Sequence, residues 1–159
     1  MKDSTKTIRS YSKKLQTTQK KLEKAKLKLK KLKQKKKQLS VSELKKKVQR
    51  VVNAYVRQRD SHLLCISCQK RPITEAGHFW PQGSKGALRY HLDNINGQCV
   101  TCNHHLHGNL LEYRLNLIKK IGKERVDWLD EHHNDIKKWT REELEELHTQ
   151  YSLLLQGKA

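Results

Sequence analysis

Apolar positions along the first forty residues recur in sevens. Ile8, Leu15, Leu22 and Leu29 hold one position of the repeat until Lys36 breaks it, and Tyr11, Ala25, Leu32 and Leu39 fall three residues later, with Thr18 as the exception. That a/d spacing, with no Gly or Pro between residues 5 and 39, predicts one long helix. Two readings of it stand: a strand of a coiled coil, or a solvated helix whose like charges keep copies apart. Ser40-Val-Ser-Glu43 has the spacing of a capping box, so a second helix starts there. Val41, Leu44, Val48, Val51 and Tyr55 mark its apolar face as far as about Asp60. The period then breaks down. Short apolar pieces at 63–66, 76–80 and 87–92 alternate with turn formers such as Pro72, Pro81 to Ser84 and Lys85-Gly86, which predicts short strands and loops. Helical spacing returns near Asn103. After Gly108-Asn109 it runs over 110–121 with Leu111, Leu115, Ile118 and Ile121 on one side, then over 124–138, and finally from Thr140. Thr140 has Glu143 as its box partner, and Leu144, Leu147, Tyr151, Leu154 and Leu155 form the last face. The pattern predicts an α+β chain in two parts: a helix over 1–39, and a domain over 40–159 with a strand-bearing centre and a helical C-terminal part.

Composition narrows the partners. The 159 residues are 35% hydrophobic and 32% charged, which suits one modest domain with a core of at most ~100 residues. The net charge is +19, and residues 1–40 carry +14 of it, from fifteen Lys and one Arg against Asp3 and Glu23. So basic a chain is expected to meet a polyanion, nucleic acid first, with Lys30, Lys31 and Lys33 among the phosphate contacts. No run approaches the ~18 apolar residues of a membrane span, and the first ten residues lack an apolar h-region. A soluble, intracellular protein with no membrane partner is expected.

Cys65-x2-Cys68 and Cys99-x2-Cys102 are two identical pairs with no cysteine left over. Each can present two thiolates from a tight turn, and together they complete a tetrahedral zinc site. Two disulfides or a redox pair are the rival readings; the absence of a secretion signal and of a βαβ context weighs against them. Four thiolates leave no open coordination position, so the zinc is structural and clamps the segment between the pairs.

That segment reads Glu75-Ala-Gly-His78-Phe-Trp-Pro81-Gln-Gly-Ser-Lys-Gly86, then Asp93-Asn94-Ile-Asn-Gly-Gln-Cys99-Val-Thr-Cys102-Asn103-His-His105-Leu-His107-Gly-Asn109. The order resembles the HNH nuclease motif: His78 before a Pro/Gly loop, Asn94 five residues ahead of a CxxC, and a ligand-type residue directly after it. In that motif two strands and a helix surround one divalent metal, the ββα-metal fold. From Val51 onward the chain also resembles the phage recombination endonuclease family called Rap or NinG. The resembling residues include Val52-Asn-Ala-Tyr-Val-Arg57-Gln-Arg-Asp60, Ala76-Gly-His78, Asn94-Ile95, Gln98-Cys-Val100, Cys102-Asn103, Gly108-Asn-Leu110 and Trp139-Thr140. They spread over about two thirds of the chain.

The resemblance implies a phage protein working in the host cytoplasm: a metal-dependent endonuclease acting on D-loops and Holliday junctions, with a zinc-bound ββα core. It implies His78 as general base, an imidazole being neutral near pH 7, and Asn94 as the amide that braces the hairpin and orients His78. It puts Asn103 where the motif's last metal ligand stands, with His105 or His107 beside it, for Mg²⁺ or Mn²⁺. Lys85 and Arg89 are candidate phosphate contacts. Symmetric cutting of a junction implies a homodimer. Two features depart from the pattern: Gly77 stands where many HNH enzymes place Asp or His, and strand alternation aims the nearest carboxylate, Glu75, away from the face of His78. A non-catalytic zinc module that grips DNA, or an adaptor for a recombination partner, would need the four cysteines but not His78, Asn94 and Asn103.

Overall fold

The computed structural model describes residues 2–37, 39–83 and 86–157, and within the first helix it describes the side chains of residues 11 and 13–30. The chain divides into two compact units, residues 1–40 and 41–159. The first unit holds α1 (Lys2–Lys37), 36 residues long and so about 54 Å end to end. Tyr11, Leu15, Leu22 and Leu29 are each more than half exposed, leaving the heptad seam open in the single chain. The side chains of Ile8 and Leu32 lie outside the described residues.

The second unit begins with α2 (Val41–Arg59). Leu44, Val48, Val52 and Val56, four residues apart, form its buried stripe. The stripe is turned slightly from the expected face: Val51 and Tyr55 flank it half-buried, and Val41 is exposed. Against it packs α5 (Arg141–Leu155) through Leu144 and Tyr151, with Leu147 and Leu154 at the margin. The Thr140–Glu143 capping box that starts α5 is complete, Thr140 Oγ1 accepting from the Glu143 amide and Glu143 Oε2 from the Thr140 amide.

In the chain between these helices comes an antiparallel hairpin of β1 (Glu75–His78) and β2 (Ile95–Gln98), which packs on α2, in register Glu75↔Gln98, Ala76↔Gly97, Gly77↔Asn96 and His78↔Ile95. β1 begins one residue before the expected strand. The expected strand at 63–66 is reduced to a single bridge from Leu64 to Pro72, and in place of one at 87–92 stand turns over 87–90 and the start of a short 3-10 helix, Leu92–Asn94. The second strand is instead the polar stretch 95–98, all of it buried. It can be buried because its amides are hydrogen-bonded (below), a property that hydropathy does not register. A single π-helical turn over Thr101–His105 follows β2. Then come α3 (Leu110–Ile121) and α4 (Lys123–His132).

The α3–α4 pair encloses a second core of Ile66, Phe79, Leu88, Tyr113, Leu117, Val126 and Leu129. The expected α3 face is partly wrong. Leu111 and Leu115 are exposed, and the inward side is carried by Tyr113 and Leu117. Tyr113 is drawn in by its hydroxyl, which donates to the Gly77 carbonyl and accepts from Asn96 Nδ2. Asp60 ties α2 to the hairpin: nearly fully buried, it accepts from Arg59, from Lys120 on α3 and from the Gly97 amide. Its carboxyl pKa is held below the ordinary value, burial being outweighed by those donors. No helix of the described residues is long and apolar enough to cross a membrane.

Candidate functional site

Two knuckles bring the cysteines together. In the first, the Cys65 amide donates to the Arg71 carbonyl, and the Gln69 amide donates back to Cys65 with Gln69 in the left-handed region at φ 50°. In the second, the Asn103 amide donates to the Cys99 carbonyl as the π turn begins. All four sulfurs lie within 4.8 Å of one another, and Cys68 and Cys99 are 4.0 Å apart. A tetrahedral zinc with Zn–S bonds of about 2.3 Å sets its sulfurs about 3.8 Å apart, so the cluster fits such a metal. Burial and the neighbouring sulfurs push the Cys102 thiol up to about 12. At Cys68 burial is outweighed by the Lys70 and Arg71 amides, which bring it down to about 7. Four sulfurs this close, three of them on buried cysteines and Cys68 half-buried, could hold a metal such as zinc.

Beside the hairpin opens a cavity of about 590 Å³, lined by Asn53 and Arg57 of α2, by Glu75, Ala76 and His78 of β1, by Gln82, and by Asn103, His104 and His107. His78 Nε2 lies 3.0 Å from the Arg89 carbonyl, and Nδ1 lies 3.5 Å from Gln82 Nε2. A carbonyl can only accept, so Nε2 carries the proton and Nδ1 keeps its lone pair. Burial lowers the His78 pKa below the ordinary imidazole value, aided by the Arg89 charge and opposed by the bond to the Arg89 carbonyl. The ring is therefore neutral near pH 7.

Asn94 is fully buried, and its side-chain hydrogen bonds go to residues other than His78. Its Oδ1 accepts from the Trp80 amide at 2.7 Å, and its Nδ2 donates to the carbonyls of Trp80 and Leu88 at 3.0 and 3.1 Å. It thereby fixes the chain just beyond His78 and just before Arg89, the two ends of the His78–carbonyl bond. Asn103 Nδ2 donates to Glu75 Oε2 at 2.5 Å, and His104 Nε2 stands 2.8 Å from the same oxygen. His107 lines the cavity from a left-handed position, φ 48°, at the start of three successive positive-φ residues. Arg89 is half-buried, with its guanidinium 5.6 Å from the centre of the Tyr90 ring.

The sequence-derived set therefore divides. His78, Asn103 and His107 meet at the cavity, and Asn94 stands behind it. His105 is exposed and does not line it. Lys85 lies outside the described residues, as do the side chains of Lys31 and Lys33; Lys30 is exposed on α1. The cavity also holds Glu75, which the sequence named as the nearest carboxylate but aimed elsewhere, and His104 and Arg57, to which it gave no place in the site. Alternation pointed Glu75 away, but β1 is an edge strand of a two-stranded sheet, and its residues from both faces line the cavity. The family-like stretch around Arg57 was the available signal for that residue, and adjacency to Asn103 the signal for His104.

A family model described as Bacteriophage Lambda NinG protein matches residues 1–158. The chain is 42% identical over 108 residues to protein ninG of Escherichia phage lambda, which covers 67% of this chain and 52% of that protein. It is 42% identical to protein ninG of Escherichia phage 933W and 40% identical to that of Salmonella phage P22, each over 67% of this chain and 53% of the relative. It thus spans about half the length of these curated relatives. No solved structure gives a significant match.

Proposed function

The chain belongs to the bacteriophage NinG family, and from that premise we propose that it is a metal-dependent DNA endonuclease of the HNH kind, acting on branched recombination intermediates such as Holliday junctions and D-loops. The observation that carries the reading is the state of His78: neutral, tethered through Nε2, and lining an open cavity beside Asn103 and Glu75. In this reading Nδ1 takes a proton from a water as that water attacks phosphorus, and the 3′-oxygen leaves in line. Asn94 keeps the imidazole in register by fixing Leu88 and Trp80. Arg57, exposed at the cavity wall, and Arg89 hold flanking phosphates.

The Asn103 amide and the His104 imidazole each stand within hydrogen-bond reach of the Glu75 carboxylate, and with the Asn103 oxygen turned toward Glu75 these side chains would fit a hard divalent cation, with His107 also lining the cavity. Those residues would hold Mg²⁺ or Mn²⁺, which would supply electrostatic stabilisation of the phosphate and the leaving oxygen. The four-cysteine cluster supplies the rigid base from which the π turn projects Asn103. The Lys-rich α1 adds phosphate neutralisation that does not depend on sequence. A homodimer, through the open heptad seam of α1 or the C-terminal helices, gives the two matched cuts a junction needs. Full-length protein incubated with synthetic four-way, three-way and linear duplex DNA tests this. Cleavage of the branched substrates in Mg²⁺ or Mn²⁺, abolished by EDTA, is expected. Intact DNA of all three forms under every metal condition overturns the reading.

A further inference from the structure

The side-chain amide of Gln98 is fully buried, and its two ends fare differently. Nε2 donates to Ser67 Oγ at 2.6 Å and to the Gly108 carbonyl at 2.8 Å, whereas Oε1 is enclosed without a hydrogen-bond partner. A buried acceptor left in this condition has given up water and gained nothing in exchange. Oε1 sits over Gly77: a methyl built on that glycine would stand 1.7 Å from Gln98 Oε1 and 3.0 Å from Asn103 Oδ1. Two amide oxygens thus face the same small space, while the Asn103 NH₂ is turned to Glu75. This orientation is the opposite of what a cation beside Glu75 requires.

We propose that the Asn103 amide turns over by half a turn about χ2 when the divalent cation binds, and that Gln98 Oε1 is the buried acceptor that holds it in the ligating orientation. The inference rests on the metal reading above. After the turn, Oδ1 faces the cation alongside Glu75 Oε2, and Nδ2 donates to Gln98. An octahedral Mg²⁺ at about 2.1 Å spaces adjacent oxygens about 3.0 Å apart, so the pair now at 2.5 Å has to open by about half an ångström. Gln98 cannot turn in place of Asn103, because its NH₂ is fixed by Ser67 and Gly108. Gln98 is thus a positioning residue for the cation site, acting through Asn103, and Gly77 is the glycine that makes room for it.

The test is Mn²⁺ affinity, read by electron paramagnetic resonance of free Mn²⁺, for the full chain, Gln98→Met, Asn103→Asp and the double variant, with zinc content measured in each. An aspartate at 103 offers oxygen in either rotamer and needs no acceptor behind it. Gln98→Met is expected to weaken Mn²⁺ binding by about 10- to 100-fold in the wild-type background and to leave it nearly unchanged in the Asn103→Asp background. Equal losses in both backgrounds overturn the positioning role and leave the metal reading intact. No Mn²⁺ binding by the unaltered chain removes the metal reading and this inference with it. If Gln98→Met fails to fold, ¹⁵N spectra of the unaltered chain decide. Mg²⁺ is expected to shift the Asn103 side-chain amide, identified by its loss in Asn103→Asp, and to slow its proton exchange. A stationary Asn103 amide under saturating Mg²⁺ overturns the proposal.

Discussion

Gly77 connects the sequence reading to the structure at the scale of one residue. It departs from the HNH pattern by offering no side chain next to His78, and the structure supplies the reason: Gln98 fills the space a side chain would take. Gly77→Ala is therefore expected to lower stability by about 1–3 kcal/mol through overpacking, measured by urea denaturation, because the Gln98 end it meets is buried and tied down. Unchanged stability would mean that Gln98 can move aside freely. His78 carries a pH signature. Its pKa lies below the usual histidine value, so the rate at saturating DNA is expected to stay level from pH 8 down through about 6.5 and to fall only at lower pH. Stability follows the same sign: the unfolded chain takes up a proton near pH 6.5 while folded His78 resists it, so folding weakens as pH falls below that value. His91 and His148, also lowered by burial, act in the same direction. A midpoint that rises on going from pH 7 to pH 5.5 would contradict this.

At the scale of elements, what could be read from the sequence depended on which force placed each element. The helices were legible because apolar period and capping chemistry agree: Thr140 and Glu143 give the start of α5, and Leu44 and Val48 give the face of α2. The cysteine pairs were legible because metal chemistry dictates their spacing. β2 was not, since the Gly97 amide donates to Asp60, Gln98 Nε2 donates to Ser67 and Gly108, and Asn96 accepts from Lys120, all partners from other parts of the chain. The inward face of α3 was misread for the same reason, a tyrosine hydroxyl outweighing exposed leucines. Glu75 and His104 became visible as a pair only when the hairpin met the π turn. That turn depends on the cysteine knuckles. Cys65→Ser, at a fully buried sulfur, is expected to take zinc from about one per chain to none and to abolish the cooperative thermal transition. Metal analysis together with calorimetry checks this, and a folded, zinc-free variant would contradict the clamp.

At the scale of the whole molecule, the charge excess and the candidate chemistry fall in different stretches of the sequence. Residues 1–40 carry +14 of the +19, whereas the cysteine cluster and cavity belong to the second unit. Deleting residues 1–39 is expected to weaken DNA binding and flatten its dependence on salt, because fewer phosphates are neutralised. Cleavage at saturating DNA is expected to persist. Titrations at several salt concentrations check this, and an unchanged affinity and slope would remove α1 from the DNA contact.

In the proposed reaction His78 is the group that activates water in this cavity. The most direct test of this role is single-turnover cleavage of a synthetic four-way junction, with protein in excess and Mg²⁺ present, comparing the unaltered chain with His78→Ala. The role predicts a rate lower by about 10²–10⁴-fold with junction affinity unchanged. Cleavage by His78→Ala at the unaltered rate would contradict it.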